Sequence, residues 1–223
     1  MSLTARENKS DSIEPISVGI HQAVCYGVYD LGEQWQEWQG KGKWSRKVCV
    51  VWELPEERIE FEDKETGEPV NIPRSASQIY TLSLDPKSRL RKDLESWRGR
   101  PFTQDELEGF DLKQLLGVNC QLQIVHNQGS GKHAGKVFAN IQNIMALGRG
   151  ASKLTPENKV AFFSFEECEE GEAPIFPEKM PEWLQNKVKD SKTWKDVTGT
   201  SPQDEEPPAT PEAEIVEDED VPF

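Results

Sequence analysis

One short segment of the chain interleaves aromatic rings with positive charge. Residues 34–46, QWQEWQGKGKWSR, contain three tryptophans and three cations: Trp35, Trp38, Lys41, Lys43, Trp44 and Arg46. Unpaired nucleobases stack on aromatic rings, at ~1–3 kcal/mol per base, and the phosphates of a strand attract cations. The pattern predicts sequence-tolerant binding of single-stranded nucleic acid. Burial of the tryptophans in a core is the alternative.

A second candidate region is the glycine-rich loop NQGSGKHAG at 127–135, which separates two strand-like segments. Lys132, His133 and Lys136 are candidates for phosphate contacts, with a solvated loop as the alternative. Strand alternation places Phe138 on the face opposite Val137, which makes its ring a candidate stacking platform.

Other aromatic and basic residues suit structural roles better. Trp52 alternates with buried-type valines, and Trp97 shares a helical face with leucines, so we expect both in the core. Arg89, Arg91 and Lys92 extend the positive charge along that helix, or form its solvated face.

The elements that position these residues follow from periodicity and turn signals. Strands are predicted at 19–31, 46–54, 78–84, 118–126 and 136–144, with Gly27 marking a bulge and residues 32–45 forming a loop. Helices are predicted at SRLRKDLESWRG, with Ser88 and Gly99 as caps, and at DLKQLLG, with Asp111 and Gly117 as caps. This order predicts a mainly β fold, a five-stranded oligonucleotide-binding (OB) barrel with short helices.

The rest of the chain divides into flanking parts around that barrel. We expect a flexible leader at 1–15, the binding domain with a C-terminal helical extension at 16–198, and a disordered acidic tail at 199–223. Within the domain, residues 55–77 resemble an acidic insertion. Residues 160–168 are an extra strand or edge segment, and the helix after Pro181 has four apolar anchors: Trp183, Leu184, Val188 and Trp194.

The formal net charge of -14 conceals a segregated distribution. Residues 200–223 hold nine acidic residues and no base, and residues 55–72 hold seven acidic residues and two bases, so the remainder is formally neutral. Within it, Lys41–Lys47 carries four bases, and Lys87–Arg100 carries six bases against two acids. Because binding responds to the local field, the mean charge does not exclude nucleic acid.

The last seven residues, EDEDVPF, have the chemistry of a partner-recruiting tip. Acidic side chains steer a tail toward basic partners, proline restricts its backbone, and a terminal phenylalanine offers a ring and a carboxylate. The residues concerned are Glu217, Asp218, Glu219, Asp220, Val221, Pro222 and Phe223. A generic acidic tail is the alternative. The tail also carries the charge to compete with DNA for a basic cleft.

This tip resembles that of bacterial and phage single-strand-binding proteins. The motifs GFDLKQLLG at 109–117 and PEWLQNKVKDS at 181–191 resemble a phage-encoded family of single-stranded-DNA-binding proteins with an OB-fold, over roughly residues 16–198. The resemblance implies non-enzymatic binding of single-stranded DNA in DNA replication, recombination or repair. The implied partners are a polymerase, primase, helicase or exonuclease, in a bacteriophage-infected or bacterial cytoplasm. A homo-oligomer is compatible with these patterns.

Signals for other functions are weak. The chain has no phosphate-binding loop, its three histidines are scattered, and its carboxylates lie in acidic runs, so we expect no enzyme, cofactor or metal. Its four cysteines are interpreted as reduced thiols, three of them buried in strands. No apolar run is long enough for a membrane helix. The rival function is an acidic adaptor or DNA mimic that inhibits a host nuclease.

Overall fold

The computed structural model describes residues 14–38, 40–62, 66–168 and 173–200, without the side chains of Trp38 and Lys132. Six strands form one sheet: β1 (Gly19–Trp38), β2 (Lys41–Glu62), β3 (Pro69–Thr81), β4 (Asn119–Gln128), β5 (Val137–Ala146) and β6 (Ala161–Phe163). Helices follow at α1 (Arg89–Arg98), α2 (Gln104–Glu108), α3 (Glu182–Lys189) and α4 (Lys192–Thr198). The predicted mainly β class is confirmed.

The sheet has the order β3-β2-β1-β4-β5, with β6 beside β1. The pairings among the first five strands are antiparallel, and β6 runs parallel to β1. The register of β1 shifts between Cys25 and Gly27, where the sequence predicted a bulge. β3 and β5 are the two ends of the strand path, so the OB barrel remains a prediction.

Two hydrophobic clusters lie against the sheet. The larger contains Trp52 and Trp97, 0% and 4% exposed, with ring centroids 5.6 Å apart, which confirms both as core residues. The apolar face of α1 (Leu90, Leu94 and Trp97) packs into this cluster. The smaller cluster joins Tyr29 and Leu31 of β1 to the helices after Pro181. Cys25, Cys49 and Cys120 are buried free thiols, and Cys168 is partly exposed.

Two segments that lie outside the predicted strands form strands in the structure. Residues 32–45 extend β1 and β2 into a long hairpin, whose turn includes Gly40 at φ 72°. The acidic residues that follow Leu54 extend β2 and β3, with Ile59 opposite Ile72 and Phe61 opposite Val70. The predicted loop at 32–45 was wrong, because cross-strand pairing stabilises polar and glycine-rich sequences that show little apolar alternation. That residues 55–77 are an acidic insertion stays a prediction.

Several local predictions also need correction. Val118 is 41% exposed and Asn119 is buried, so the apolar alternation of β4 begins only at Cys120. The segment DLKQLLG forms a 3-10 helix (Leu112–Leu115) that Asp111 caps as predicted, but its C-cap is Leu116 and not Gly117. Ser88 precedes α1 without a side-chain cap, because its hydroxyl donates to the carbonyl of Ser83.

The C-terminal extension consists of two helices and not one. The first helix ends at its C-cap Asp190. Ser191 caps the second helix, since its hydroxyl oxygen accepts a hydrogen bond from the backbone amide of Trp194 at 3.0 Å. Leu184 and Val188 are buried as predicted, whereas Trp183 is 49% exposed and is not an anchor. None of the helices in the described part of the chain has the length and apolar character of a membrane span.

Candidate nucleic-acid interface

The end of the β1–β2 hairpin, residues 33–46, forms the first part of the site and is called the tryptophan hairpin. Trp35 and Trp44 are direct cross-strand partners. Their ring centroids lie 5.3 Å apart at an interplanar angle of 62°, an edge-to-face arrangement. Trp35 is half-buried and Trp44 is 37% exposed. The pair therefore keeps indole surface accessible outside the two hydrophobic clusters.

Gly42, which is diagonal to Trp35 in the cross-strand register, leaves room for the Trp35 ring. A Cβ atom added to Gly42 would fall 1.8 Å from Cζ2 of Trp35, so the ring occupies the space of a side chain at position 42. Lys41 and Lys43 flank this glycine and are exposed. Trp38 pairs with Lys41 in the strand register, but its side chain lies outside the described atoms.

The two C-terminal helices hold the root of the tryptophan hairpin. The side-chain amide of Gln34 donates to the carbonyl of Lys187 in α3 at 2.8 Å. The backbone amide of Glu33 donates to Oγ1 of Thr193 in α4, also at 2.8 Å. Nζ of Lys192 lies 5.9 Å from the ring centroid of Trp44. The helices thus fix the direction of the hairpin and add a cation beside its indole.

Arg46 is engaged with carboxylates of its own chain. Its Nη2 atom lies 2.6 Å from Oδ2 of the buried Asp30, and its Nη1 atom lies 3.0 Å from Oε1 of Glu166. The hydrogen bond to Asp30 is the main reason that the pKa of Arg46 is raised. Two carboxylates largely neutralise this guanidinium, which weakens its attraction for a phosphate in the unbound chain.

A groove of about 700 Å³ lies beside the root of the tryptophan hairpin, between the end of β3 and the start of α1. We call it the basic groove, because four cations line it against one acidic residue, Asp85. The cations are Lys47, Lys87, Arg89 and Lys187, and Trp35 lines the same groove. The structure therefore brings one indole and four positive charges around a single open volume.

The cations of the basic groove differ in how firmly they are held. Lys47 is buried and donates to Oγ1 of Thr81 at 2.7 Å and to Gln36. Arg89 donates to the carbonyl of Ile141 at 2.8 Å and lies 3.4 Å from Asp93. Lys87 is exposed. Lys187 is half-buried, so the groove has two anchored cations, one half-buried cation and one exposed to solvent.

Sequence analysis identified only part of this groove. The basic stretches Lys41–Lys47 and Lys87–Arg100 include three of its cations. Of these, Arg89 was predicted either to extend the positive charge or to form a solvated helix face, and Lys47 and Lys87 were not singled out. Lys187 was missed, since its position in an amphipathic helix gives no sign that the helix packs beside β1. Arg91 lies 3.0 Å from Glu95 in an ion pair within α1, and Lys92 is exposed.

The second predicted region, the β4–β5 hairpin, is separate from the tryptophan hairpin. Phe138 is 41% exposed, and its ring lies edge-to-face with His133 at 5.7 Å. Lys136 is exposed beside it, whereas the side chain of Lys132 is outside the described atoms. β4 meets the start of β1, with Ile124 opposite Gly19, so this hairpin extends from the end of β1 remote from Trp35.

The predicted tail residues Glu217 to Phe223 lie outside the described residues. Comparison with known proteins adds no relative: no family model, no curated protein and no solved structure matches this chain. The resemblance to phage single-strand-binding proteins therefore remains a prediction from the motifs.

Proposed function

We propose that this chain is a sequence-tolerant single-stranded-DNA-binding protein with an OB-fold, acting in DNA replication, recombination or repair. One observation carries the proposal: Trp35, which pairs edge-to-face with the exposed Trp44, lines a groove together with Lys47, Lys87, Arg89 and Lys187. Rings and cations are the two components that a single strand requires.

The tryptophan pair suits bases that are not paired with a second strand. The bases of an intact duplex are covered by their stacked neighbours, whereas an unstacked base has a free face to lay on the exposed indole of Trp44. Every base has such a face, so stacking gives affinity without sequence readout. Stacking on these indoles thus accounts for tolerance of sequence.

The basic groove supplies the attraction to the phosphates. Because Lys47 is already held by Gln36 and Thr81, less side-chain entropy is lost when it contacts a phosphate. Lys87 is exposed and lies where a strand leaving Trp35 would pass. These cations give the interaction its salt dependence, because each phosphate that they neutralise releases counterions.

The strand connections support an OB-fold. An OB-fold is a five-stranded, partly open barrel that binds oligonucleotides between the loop joining its first two strands and the loop joining its last two. In this chain those connections are the tryptophan hairpin and the β4–β5 hairpin, and α1 lies between β3 and β4. Parts of β3 and β5 approach within 8 Å at their Cα atoms, as a barrel that is partly open requires.

The test is a titration of a fluorescein-labelled oligo-dT strand, followed by fluorescence anisotropy. We expect Trp44→Ala to weaken binding about 5- to 100-fold, which corresponds to the loss of one stacked base. Phe61→Ala is the matched control, since Phe61 is also exposed, at 46%, but lies at the opposite end of β2. It should leave the affinity unchanged.

A salt series and a comparison with duplex DNA distinguish this function from that of an acidic adaptor. The logarithm of the affinity should fall by ~0.7 per neutralised phosphate for each tenfold increase in salt, and duplex DNA should bind more weakly. An acidic adaptor would show no oligo-dT binding at low salt and would retain its protein partner when Trp44 is replaced. Either result would refute the proposed function.

A further inference from the structure

A small aromatic cleft lies next to the tryptophan hairpin along β2. It has a volume of about 180 Å³ and a floor formed by Val28 and Val48, both almost fully buried. The half-buried rings of Phe110 and Phe162 and the exposed Leu82 line it further out. The sequence analysis singled out none of these five as binding residues, because they come from five separate parts of the chain.

The rim of the aromatic cleft carries hydrogen-bonding groups of both kinds. Arg46 supplies donors, and Asp30, Asp111 and Glu166 supply acceptors. Nζ of Lys113 lies 4.7 Å from the ring centroid of Phe162 and 2.6 Å from Oε1 of Glu167, so a second cation stands beside one of the lining rings. An apolar interior with a polar rim suits a flat ligand that has faces to bury and a polar edge.

The size of the cleft excludes most other occupants. Ligand pockets usually measure ~300–1,000 Å³, so a volume of about 180 Å³ holds a single ring system and not a peptide segment or a dinucleotide. A nucleobase has that size, together with two apolar faces and an edge of donors and acceptors.

The position of the cleft connects it to the tryptophan pair. Trp44, Arg46 and Val48 are alternate residues of β2 and share one face of the strand. Val48 is four positions after Trp44 along the strand, which corresponds to a distance of about 13 Å. One OB-fold engages ~4–16 nucleotides, so a strand stacked on Trp44 has ample length to reach the cleft.

We propose that the aromatic cleft accepts one unpaired nucleobase of the strand whose neighbouring bases stack on the tryptophan hairpin. This inference rests on the proposed function and adds a site to it. Arg46 stands between the two positions, paired with Glu166, whose side chain is 76% exposed. When the strand binds, its phosphate replaces the carboxylate of Glu166 on the guanidinium, while Asp30 continues to hold Arg46 in place.

The test fills the cleft and compares two kinds of strand. Leu82→Trp places a large ring at the cleft lining, and Ile72→Trp is the matched control at a similarly exposed position on β3. Each protein is titrated with oligo-dT and with an abasic deoxyribose-phosphate strand of equal length. We expect Leu82→Trp to weaken oligo-dT binding about 5- to 100-fold and to leave abasic binding unchanged, because only the base enters the cleft.

Other outcomes of the titration overturn the inference. Unchanged or tighter oligo-dT binding by Leu82→Trp would show that no base enters, and equal loss for both strands would point to a phosphate contact. If the unmodified protein bound neither strand, the proposed function itself would fail. If the unmodified protein bound oligo-dT and Leu82→Trp bound it as tightly as Ile72→Trp does, the proposed function would stand and the cleft would not be part of it.

A measurement on the unmodified chain protects the test against misfolding of the variant. Oligo-dT containing 5-iododeoxyuridine is irradiated in the complex, and the crosslinked peptides are identified by mass spectrometry. We expect crosslinks at Phe110 or Phe162 in addition to Trp44. Crosslinks confined to the tryptophan hairpin would overturn the inference that a base enters the cleft, and would leave the proposed function intact.

Discussion

The indole ring of Trp35 lies against the backbone of Gly42, in the space that a side chain at position 42 would occupy. Gly42 follows the turn of the β1–β2 hairpin and is diagonal to Trp35 in the cross-strand register. The absence of a Cβ atom at this one position lets the ring lie flat on the strand and meet Trp44 edge-to-face. The geometry of the proposed stacking surface thus depends on a residue with no side chain.

Replacing Gly42 with alanine should displace the Trp35 ring, because the new Cβ would lie 1.8 Å from it. We expect Gly42→Ala to weaken oligo-dT binding about 3- to 30-fold, since one stacking surface is misaligned but not removed. Anisotropy titration measures the change. Gly109→Ala is the control, because a Cβ there meets no atom within 4 Å. Equal binding by both variants would contradict the role of the Trp35 orientation.

The buried carboxylate of Glu53 fastens the segment after β5 to the sheet. It accepts hydrogen bonds from the backbone amides of Glu157 and Asn158 and from the side chain of Asn158, at 2.7–2.9 Å. Glu53→Gln replaces one acceptor oxygen with an NH₂ group that faces these donors, so we expect a loss of about 1–3 kcal/mol in the free energy of unfolding. Urea denaturation measures it, with the exposed Glu56→Gln as control. A loss no larger than that of the control would count against this account.

Glu106 makes the stability of the chain depend on pH in the acid range. Hydrogen bonds from Arg100, then from the backbone amide of Thr103, and also from Arg98 lower its pKa from 4.5 to about 2. Because the folded-state pKa is the lower one, the contribution of Glu106 is complete above pH 4.5 and is lost as the pH falls toward 2.

We therefore expect urea midpoints of the unmodified chain and of Glu106→Gln to differ at pH 6 and to converge near pH 2. Glutamine keeps the capping box with Thr103, so the comparison isolates the charge. Glu108→Gln, on the same helix, serves as control. A midpoint difference that stays constant between pH 6 and pH 2 would exclude the titration of Glu106 as its source.

Removal of the acidic residues 200–223 should tighten binding to oligo-dT at low salt. The tail carries nine acidic residues and no base, and its tethering gives it a high effective concentration near the basic groove. The gain should shrink as added salt screens the charges. A tail of the same length with all nine acids changed to amides is the control, and it should behave like the truncation. Identical affinities for the full and truncated chains would reject competition by the tail.

Much of the fold could be predicted from residues that are close in sequence. Five strands, the bulge before Gly27 and the cap at Gly99 follow from alternation and from the conformational freedom of glycine. The limits of the strands could not be predicted in the same way. Trp35 and Trp44 belong to a segment with the composition of a loop, yet they lie in strands because each is the cross-strand partner of the other.

The candidate site likewise has features that were predictable from nearby residues and features that depend on contacts between distant ones. The tryptophans and lysines at the end of the β1–β2 hairpin were visible as a cluster in the sequence, since they all lie within residues 34–46, whereas Lys187 of the basic groove was not. That Arg46 is paired with Glu166, 120 positions away, was not visible, and neither was the bond between Gln34 and Lys187, 153 positions apart. The aromatic cleft was wholly hidden, because Phe110 and Phe162 lie in separate segments of the sequence.

By itself, the sequence determined the kinds of residue that meet a ligand and the local elements that carry them, because periodicity and turn chemistry act over a few residues. The tertiary structure alone decided which cations remain accessible and which are neutralised, and where the rings gather around a groove or a cleft. Those properties depend on contacts between distant segments, and such contacts are set by the path of the whole chain through the sheet.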